Sequence, residues 1–86
     1  MTEDERKAFK DLVLMNCCSS LLIGSKGFAS DEVTQEAMNM ILSIAAFVLT
    51  YDEIEEIVGH ATQHLKTIGI YVNYELNKVS LGGLQQ

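Results

Sequence analysis

The chain has 86 residues, of which 48% are hydrophobic, and 12 acidic against 6 basic side chains give it a net charge of −6. That length allows one domain, and the hydrophobic content excludes a disordered chain. An acidic chain with scattered basic residues is unsuited to binding a nucleic-acid backbone, which depends on clustered Lys and Arg. The charge is explained by solubility, and docking to a basic protein surface is the functional alternative.

The first predicted helix spans about residues 3–23. Thr2 and Glu5 have the spacing of a capping box, in which each side chain accepts a hydrogen bond from the other's backbone N–H. Gly24 is placed to end the helix in the left-handed conformation. The second half of this helix is apolar on more than one side, which indicates neighbours on two sides.

The second predicted helix, about residues 31–49, contains the most apolar stretch of the chain and begins at a Ser30 N-cap. A loop precedes it, and we expect Phe28 of that loop to pack into the core. The helix carries two apolar stripes about 120° apart around its axis. The first consists of Val33, Ala37, Met40, Ile44 and Phe47; the second consists of Met38, Leu42, Ala45 and Leu49.

One small chain does not cover both stripes, so the sequence predicts a homodimer. The stripe expected to lie at the interface is the second one, Met38, Leu42, Ala45 and Leu49. The later part of the first helix, around Leu14, Cys18 and Leu21, is the next choice.

A third helix is predicted over about residues 51–68. Thr50 and Glu53 form another capping-box match, which starts a new helix there, and Gly69 is placed to end it. The alternative is one long helix over residues 31–68. Its predicted apolar face contains Ile54, Ile57, Val58, Ala61, Leu65 and Ile68.

The apolar period changes to two after Gly69, which is typical of a strand, so residues 70–81 are predicted to be extended. A single strand leaves its backbone groups unpaired and requires a twin from a second subunit or a partner's sheet. Val72 and Tyr74 are therefore added to the predicted interface. The alternative is an irregular tail packed on the helices, and residues 82–86 are expected to fray.

No residue pattern in the chain indicates catalysis, a cofactor or a small-molecule substrate. His60 and His64 lie four residues apart, with Glu56 one further turn away, but they lack the HExxH motif, so no metal site is predicted. Asp52, Glu53, Glu55 and Glu56 make an acidic helix start. Compensation of the helix dipole explains them, and docking of a basic partner is the functional alternative.

Three features indicate a soluble cytoplasmic protein. The N-terminal residues are acidic where a signal peptide is basic. The longest apolar runs fall short of the roughly 20 residues that cross a membrane. Cys17 and Cys18 are adjacent in an apolar run, which is typical of free thiols in a reducing compartment, with a redox-sensing pair as the alternative.

The sequence therefore predicts an all-α fold: a small three-helix bundle with an extended C-terminal segment, assembled as a homodimer. The expected function is that of a small acidic, non-enzymatic regulator or adaptor that binds another protein. Inhibitors of host or defence proteins, of the kind that bacteria, phages and plasmids encode, belong to this class. The alternatives are a structural or assembly subunit of a larger helical complex and a nucleic-acid-linked regulator, either a helical DNA binder or an acidic DNA mimic.

Overall fold

A computed structural model of the chain describes residues 1–72 and 74–76. It contains three helices, α1 (Glu3–Ser25), α2 (Asp31–Ala45) and α3 (Tyr51–Thr67). The described residues include no strand. The predicted all-α fold is confirmed, and the third helix begins at Tyr51, where the sequence placed its start.

The helix starts follow from their capping residues. Thr2 with Glu5 and Thr50 with Glu53 form complete capping boxes, and the Ser30 hydroxyl accepts a hydrogen bond from the Val33 N–H. These contacts satisfy backbone N–H groups that a helix leaves without partners in its first turn. The capping residues thus make the starts of all three helices readable from the sequence.

The helix ends differ from the predicted ones. α1 continues through Gly24 to Ser25, and Gly27, with a φ of 83°, takes the left-handed conformation instead. α2 ends at Ala45, four residues before the predicted end, because the chain tightens there into turns with three-residue spacing, such as Val48 N–H to Ala45 C=O at 2.9 Å. Gly69, with a φ of 86°, follows α3 as predicted.

α1 is the central helix of the bundle because it packs against both α2 and α3, whereas α2 and α3 make only marginal direct contact. Arg6 and Lys10 contact Glu53 at the start of α3, so α1 and α3 run in the same direction. Gly24, near the end of α1, lies against Thr34 near the start of α2, so α2 runs the opposite way.

The core lies between the three helices. Its buried residues are Val13, Cys17 and Leu21 of α1, Met38, Leu42 and Ala45 of α2, Leu49 of the connection, and Ile54, Ile57, Val58, Ala61 and Leu65 of α3. Five of the six residues predicted for the apolar face of the third helix are in this set, and Ile68 is exposed. No buried side-chain nitrogen or oxygen in the described part of the chain lacks a hydrogen-bond partner.

The C-terminal segment, defined here as residues 70–72 and 74–76, fills the space that α2 and α3 leave between them. Ile70, Val72, Tyr74 and Leu76 pack against the core, while Tyr71 and Glu75 are exposed. The predicted alternation of apolar and polar positions is therefore present, but it arises from packing on helices. The rest of the predicted extended stretch and the predicted frayed tail lie outside the described residues.

The two apolar stripes of α2 have exchanged roles relative to the prediction. Met38, Leu42, Ala45 and Leu49 are buried within the chain, and most of the first stripe lies exposed. Thr34 faces α1, and Gln35 faces the C-terminal segment. The second stripe lies between Thr34 and Gln35 around the helix axis. It is therefore covered by α1 on one side and by the C-terminal segment on the other, and this buries it.

Phe28 corrects another expectation, because its residue surface is 83% exposed. The chain turns at Gly27, and the Phe28 N–H donates to the Ile23 carbonyl at 3.2 Å, closing the end of α1. Two residues later Ser30 already caps α2. This short connection leaves the ring outside the space between the helices.

α1 is also the one helix in the described part of the chain that is long and apolar enough, by length and composition alone, to cross a membrane. The core helix of a soluble protein and a signal sequence pass the same test, and 17% of this apolar window is buried within the chain.

Replacing Gly24 by Ala is expected to destabilise the protein, whereas replacing Gly59 by Ala stabilises it. A Cβ at Gly24 would clash with the Thr34 hydroxyl oxygen, but one at Gly59 meets nothing within 4 Å. We expect Gly24→Ala to cost about 1–2 kcal/mol, because overpacking outweighs the higher helix propensity of Ala. Gly59→Ala gains about 0.5–1 kcal/mol from that propensity.

Urea unfolding followed by circular dichroism measures both effects. In a Thr34→Ala background the cost of Gly24→Ala is expected to fall, because the two nearest clashing atoms are gone. An unchanged cost in that background would show that the Thr34 side chain is not its cause.

Candidate protein-binding surfaces

The exposed face of α2 and its following turn is mainly apolar, with the carboxylate of Glu36 at its edge. Its large side chains are 54–74% exposed. We name this set the α2 outer stripe: Val33, Met40, Ile44 and Phe47. Together the four residues of the stripe expose an area on the order of 500 Å². The largest apolar patches on monomeric proteins cover roughly 300–600 Å², so this area is in the upper part of that range. Patches of this size mark binding surfaces more often than scattered single residues do.

α1 carries a second exposed apolar face. Leu12, Met15 and Ile23, here named the α1 outer stripe, are 49–65% exposed. The sequence predicted neighbours on two sides of the later part of α1 and therefore did not single out this surface as exposed. In the structure Met15 lies about 180° around the helix from Arg6, which contacts α3.

The residues that the sequence placed at an interface lie in or against the core. Leu21 is buried with the second stripe of α2, and four others are half-buried against the core: Leu14, Cys18, Val72 and Tyr74. The structure thus brings the predicted residues together, but inside one chain. That any of them contacts a second chain stays a prediction.

Tyr74 holds the C-terminal segment against α2. Its hydroxyl donates to Asn39 Oδ1 at 3.2 Å, and Gln35 Nε2 donates to the Glu75 carbonyl at 3.4 Å. Burial raises the pKa of the Tyr74 phenol to about 12, so the hydroxyl keeps its proton across the physiological range. The contact supports packing and brings no reactive group to the surface.

The acidic start of α3 divides into one structural and three exposed carboxylates. Asp52, Glu55 and Glu56 are exposed. Glu53 instead accepts hydrogen bonds from Arg6, with Nε at 3.1 Å, and from the Thr50 N–H at 2.9 Å, and it also pairs with Lys10 Nζ at 3.3 Å. The partner-docking patch predicted from the sequence therefore reduces to three residues.

The contacts of Glu53 favour its ionised form. The Arg6 guanidinium, followed by the Thr50 N–H, lowers the pKa of the Glu53 carboxyl from 4.5 to about 2. A carboxyl whose pKa is lowered on folding stabilises the folded state above its ordinary pKa, and this stabilisation is lost as the pH falls toward the folded value. Glu53 thereby ties the starts of α1 and α3 together at neutral pH.

We expect the free energy of unfolding to decrease between pH 4.5 and about pH 2 as Glu53 takes up a proton. Glu53→Gln keeps an acceptor for the Thr50 N–H but loses the charge, so it should destabilise the protein at pH 7 and flatten this acid dependence. Urea unfolding at a series of pH values measures it. Glu55→Gln removes the same charge from an exposed site of α3 and should destabilise less; equal losses in both variants would contradict this role of Glu53.

No other group of side chains forms a chemical site in the described residues. His60 and His64 are exposed on α3, and no three His, Cys, Asp or Glu residues in residues 1–72 and 74–76 are placed to hold a metal ion. Burial raises the pKa of the Cys17 thiol to about 12 and also raises that of Cys18, which disfavours the reactive thiolate.

A cleft of about 200 Å³ lies between α1, α2 and the C-terminal segment. It is smaller than the roughly 300–1,000 Å³ of small-molecule sites. Asp31 is the one carboxylate among the described residues that line it, and the hydroxyl of Ser25 donates to the Leu22 carbonyl at 2.8 Å. The cleft thus offers no paired acid and base and no activated nucleophile among the described residues.

Comparison with known protein families, with characterised proteins and with solved structures finds no match for this chain.

Proposed function

We propose that this protein is a small, acidic, non-enzymatic regulator or adaptor that acts by binding protein, with the α2 outer stripe as its main contact surface. The proposal is carried by one observation: four large apolar side chains lie exposed in a row on one helix face and the turn after it. Exposing them to water is unfavourable, and covering them with a partner removes that cost.

The charge pattern around the stripe supports a protein partner over nucleic acid. α2 carries only acidic charges, at Asp31, Glu32 and Glu36, and no Lys or Arg. A phosphate backbone would be repelled by such a helix. An apolar centre with a charged or polar rim is the usual composition of a protein–protein interface.

The exposed carboxylates of α3 provide a second contact surface, for a basic protein. Asp52, Glu55 and Glu56 lie on α3 away from the α2 outer stripe and remain accessible. Exposed charges of this kind raise association rates and select against acidic partners more than they add affinity.

Photocrosslinking in the cells that make the protein tests the proposal. A photoreactive amino acid is placed at position 44 in the α2 outer stripe, at position 55 in the acidic surface, or at position 7, an exposed control on α1. We expect position 44 or 55 to form an adduct with a protein other than this chain, which mass spectrometry identifies and which position 7 does not capture. Adducts that are absent, or the same at all three positions, would overturn the proposal.

A further inference from the structure

The α1 and α2 outer stripes lie on the same side of the molecule. At 100° per residue, Leu12, Met15 and Ile23 lie about 180–260° around α1 from Arg6, which contacts α3. Val33, Met40 and Ile44 lie about 140–180° around α2 from Gln35, which contacts the C-terminal segment. Both stripes therefore face away from the elements that cover the core, and together they form one outer side of the antiparallel α1–α2 pair.

The area of this outer side fits a stable dimer. The exposed large side chains of the two stripes present an apolar surface on the order of 800 Å², which equals the share of one partner in a standard interface of about 1,600 Å². A domain of this size buries only about 60% of its unfolded surface, so it gains stability from association. An isolated helix from a partner would cover one stripe, whereas a second α1–α2 pair covers both.

The charge of the outer side also fits a second copy. Residues 12–23 and 37–51 contain no charged side chain. Two copies that each carry a net charge of −6 repel one another, and a contact centred on these uncharged residues keeps most of their acidic groups apart, with Glu36 at its edge.

The acidic residues of α2 select the orientation. Asp31, Glu32 and Glu36 all lie in the first half of the helix. Parallel α2 helices would place these carboxylates side by side. An antiparallel pair centred on Met40 places the two Glu36 residues about 12 Å and the two Glu32 residues about 24 Å apart along the axis, given 1.5 Å per residue. The first distance is close to the screening distance of roughly 10 Å and the second is well beyond it.

We infer that the outer side of the α1–α2 pair binds a second copy of this chain, with the two α2 helices antiparallel about Met40. Two-fold symmetry is the commonest arrangement of homo-oligomers, and here it makes each stripe part of a shared four-helix layer. The inference rests on the proposed function in that the α2 outer stripe binds protein; the protein bound there is then a second copy, and the acidic surface of α3 remains for a different partner.

Light scattering after gel filtration tests the dimer. We expect the wild-type chain at 100 µM to show twice its 9.5 kDa mass. Ile44→Glu should give a monomer of unchanged helical content, because it buries an unpaired charge on each side of the contact. Ile68→Glu is the matched control, since Ile68 is 59% and Ile44 61% exposed, and it should stay dimeric. A monomeric wild type, a species larger than a dimer, or a dimeric Ile44→Glu variant would overturn the inference.

Disulfide trapping tests the orientation, in a Cys18→Ala background that removes the half-exposed native thiol. Met40→Cys should crosslink the two copies under mild oxidation, because position 40 lies at the two-fold axis. Val33→Cys should not, because the two copies of that position lie about 21 Å apart along the axis. Crosslinking of Val33→Cys at the rate of Met40→Cys would overturn the antiparallel arrangement.

Sedimentation with phosphatidylcholine and phosphatidylserine vesicles examines a membrane as the alternative occupant of the outer side. Retention of the dimer in the supernatant supports the inference, and transfer of the chain to the vesicles overturns it. The proposed function can fail separately from the dimer. If the chain is a dimer but positions 44 and 55 crosslink no other protein in the cell, the inference stands and the role of regulator or adaptor is wrong.

Discussion

Leu42→Ala is expected to destabilise the folded chain by about 3 kcal/mol, within the range of 2–5 kcal/mol for truncation of a fully buried Leu. Leu42 is 0% exposed and belongs to the core cluster that joins all three helices. The substitution leaves a cavity that neighbouring side chains fill only in part. Because a small domain has a total stability of roughly 5–15 kcal/mol, the variant loses a large part of it.

Ile44→Ala is the matched control for Leu42→Ala, since it removes a similar side chain two residues further along α2. Ile44 is exposed in a single chain, so its truncation should cost less than about 0.5 kcal/mol in the monomer. Urea unfolding at several protein concentrations separates the effect of Ile44→Ala on the monomer from its effect on the dimer, because the dimer contributes nothing to stability after sufficient dilution. If Leu42→Ala and Ile44→Ala lowered the free energy of unfolding equally at low concentration, this would contradict a buried Leu42 and an exposed Ile44.

Tyr74→Ala is expected to destabilise the protein by about 2 kcal/mol, less than the 3–5 kcal/mol lost when a fully buried aromatic is truncated. Tyr74 packs against the core, and its hydroxyl donates to Asn39. Tyr74→Phe keeps the ring and loses the hydrogen bond, so it should cost about 1 kcal/mol. Thermal and urea unfolding measure both variants.

Tyr71→Ala provides the comparison for Tyr74, because Tyr71 belongs to the same segment and is 77% exposed. Its loss should change the free energy of unfolding by no more than about 0.5 kcal/mol. If Tyr74→Ala were as neutral as Tyr71→Ala, the C-terminal segment would not contribute to the core between α2 and α3.

The helix starts and the face of α3 could be predicted because their determinants are local. A capping box needs residues three apart, and Thr50 with Glu53 separates α2 from α3 without any tertiary information. The apolar residues of α3 occupy one face, so only one orientation buries them. The same local reasoning identified the alternation in the C-terminal segment, but it did not choose between a strand and an irregular tail packed on the helices.

The choice between the two stripes of α2 could not be read from the sequence. Both are continuous and apolar, so hydrophobic burial alone does not distinguish them. Contacts from distant parts of the chain decide it: Thr34 against Gly24, and Gln35 and Asn39 against the C-terminal segment. Glu53 is similar, because its spacing shows the cap but not its pairing with Arg6, 47 positions earlier in the chain.

The close approach of Gly24 to Thr34 also fixes the axial register of α1 against α2. Apolar side chains recur on both helices with every turn, so sliding one along the other by one turn, about 5.4 Å, would still bury apolar surface. After such a slide Thr34 would meet a residue that has a side chain, such as Ser20, instead of the bare backbone of Gly24. A single glycine thus selects one alignment from several with similar hydrophobic gain, and it thereby sets the relative height of the two apolar stripes on the outer side of the pair.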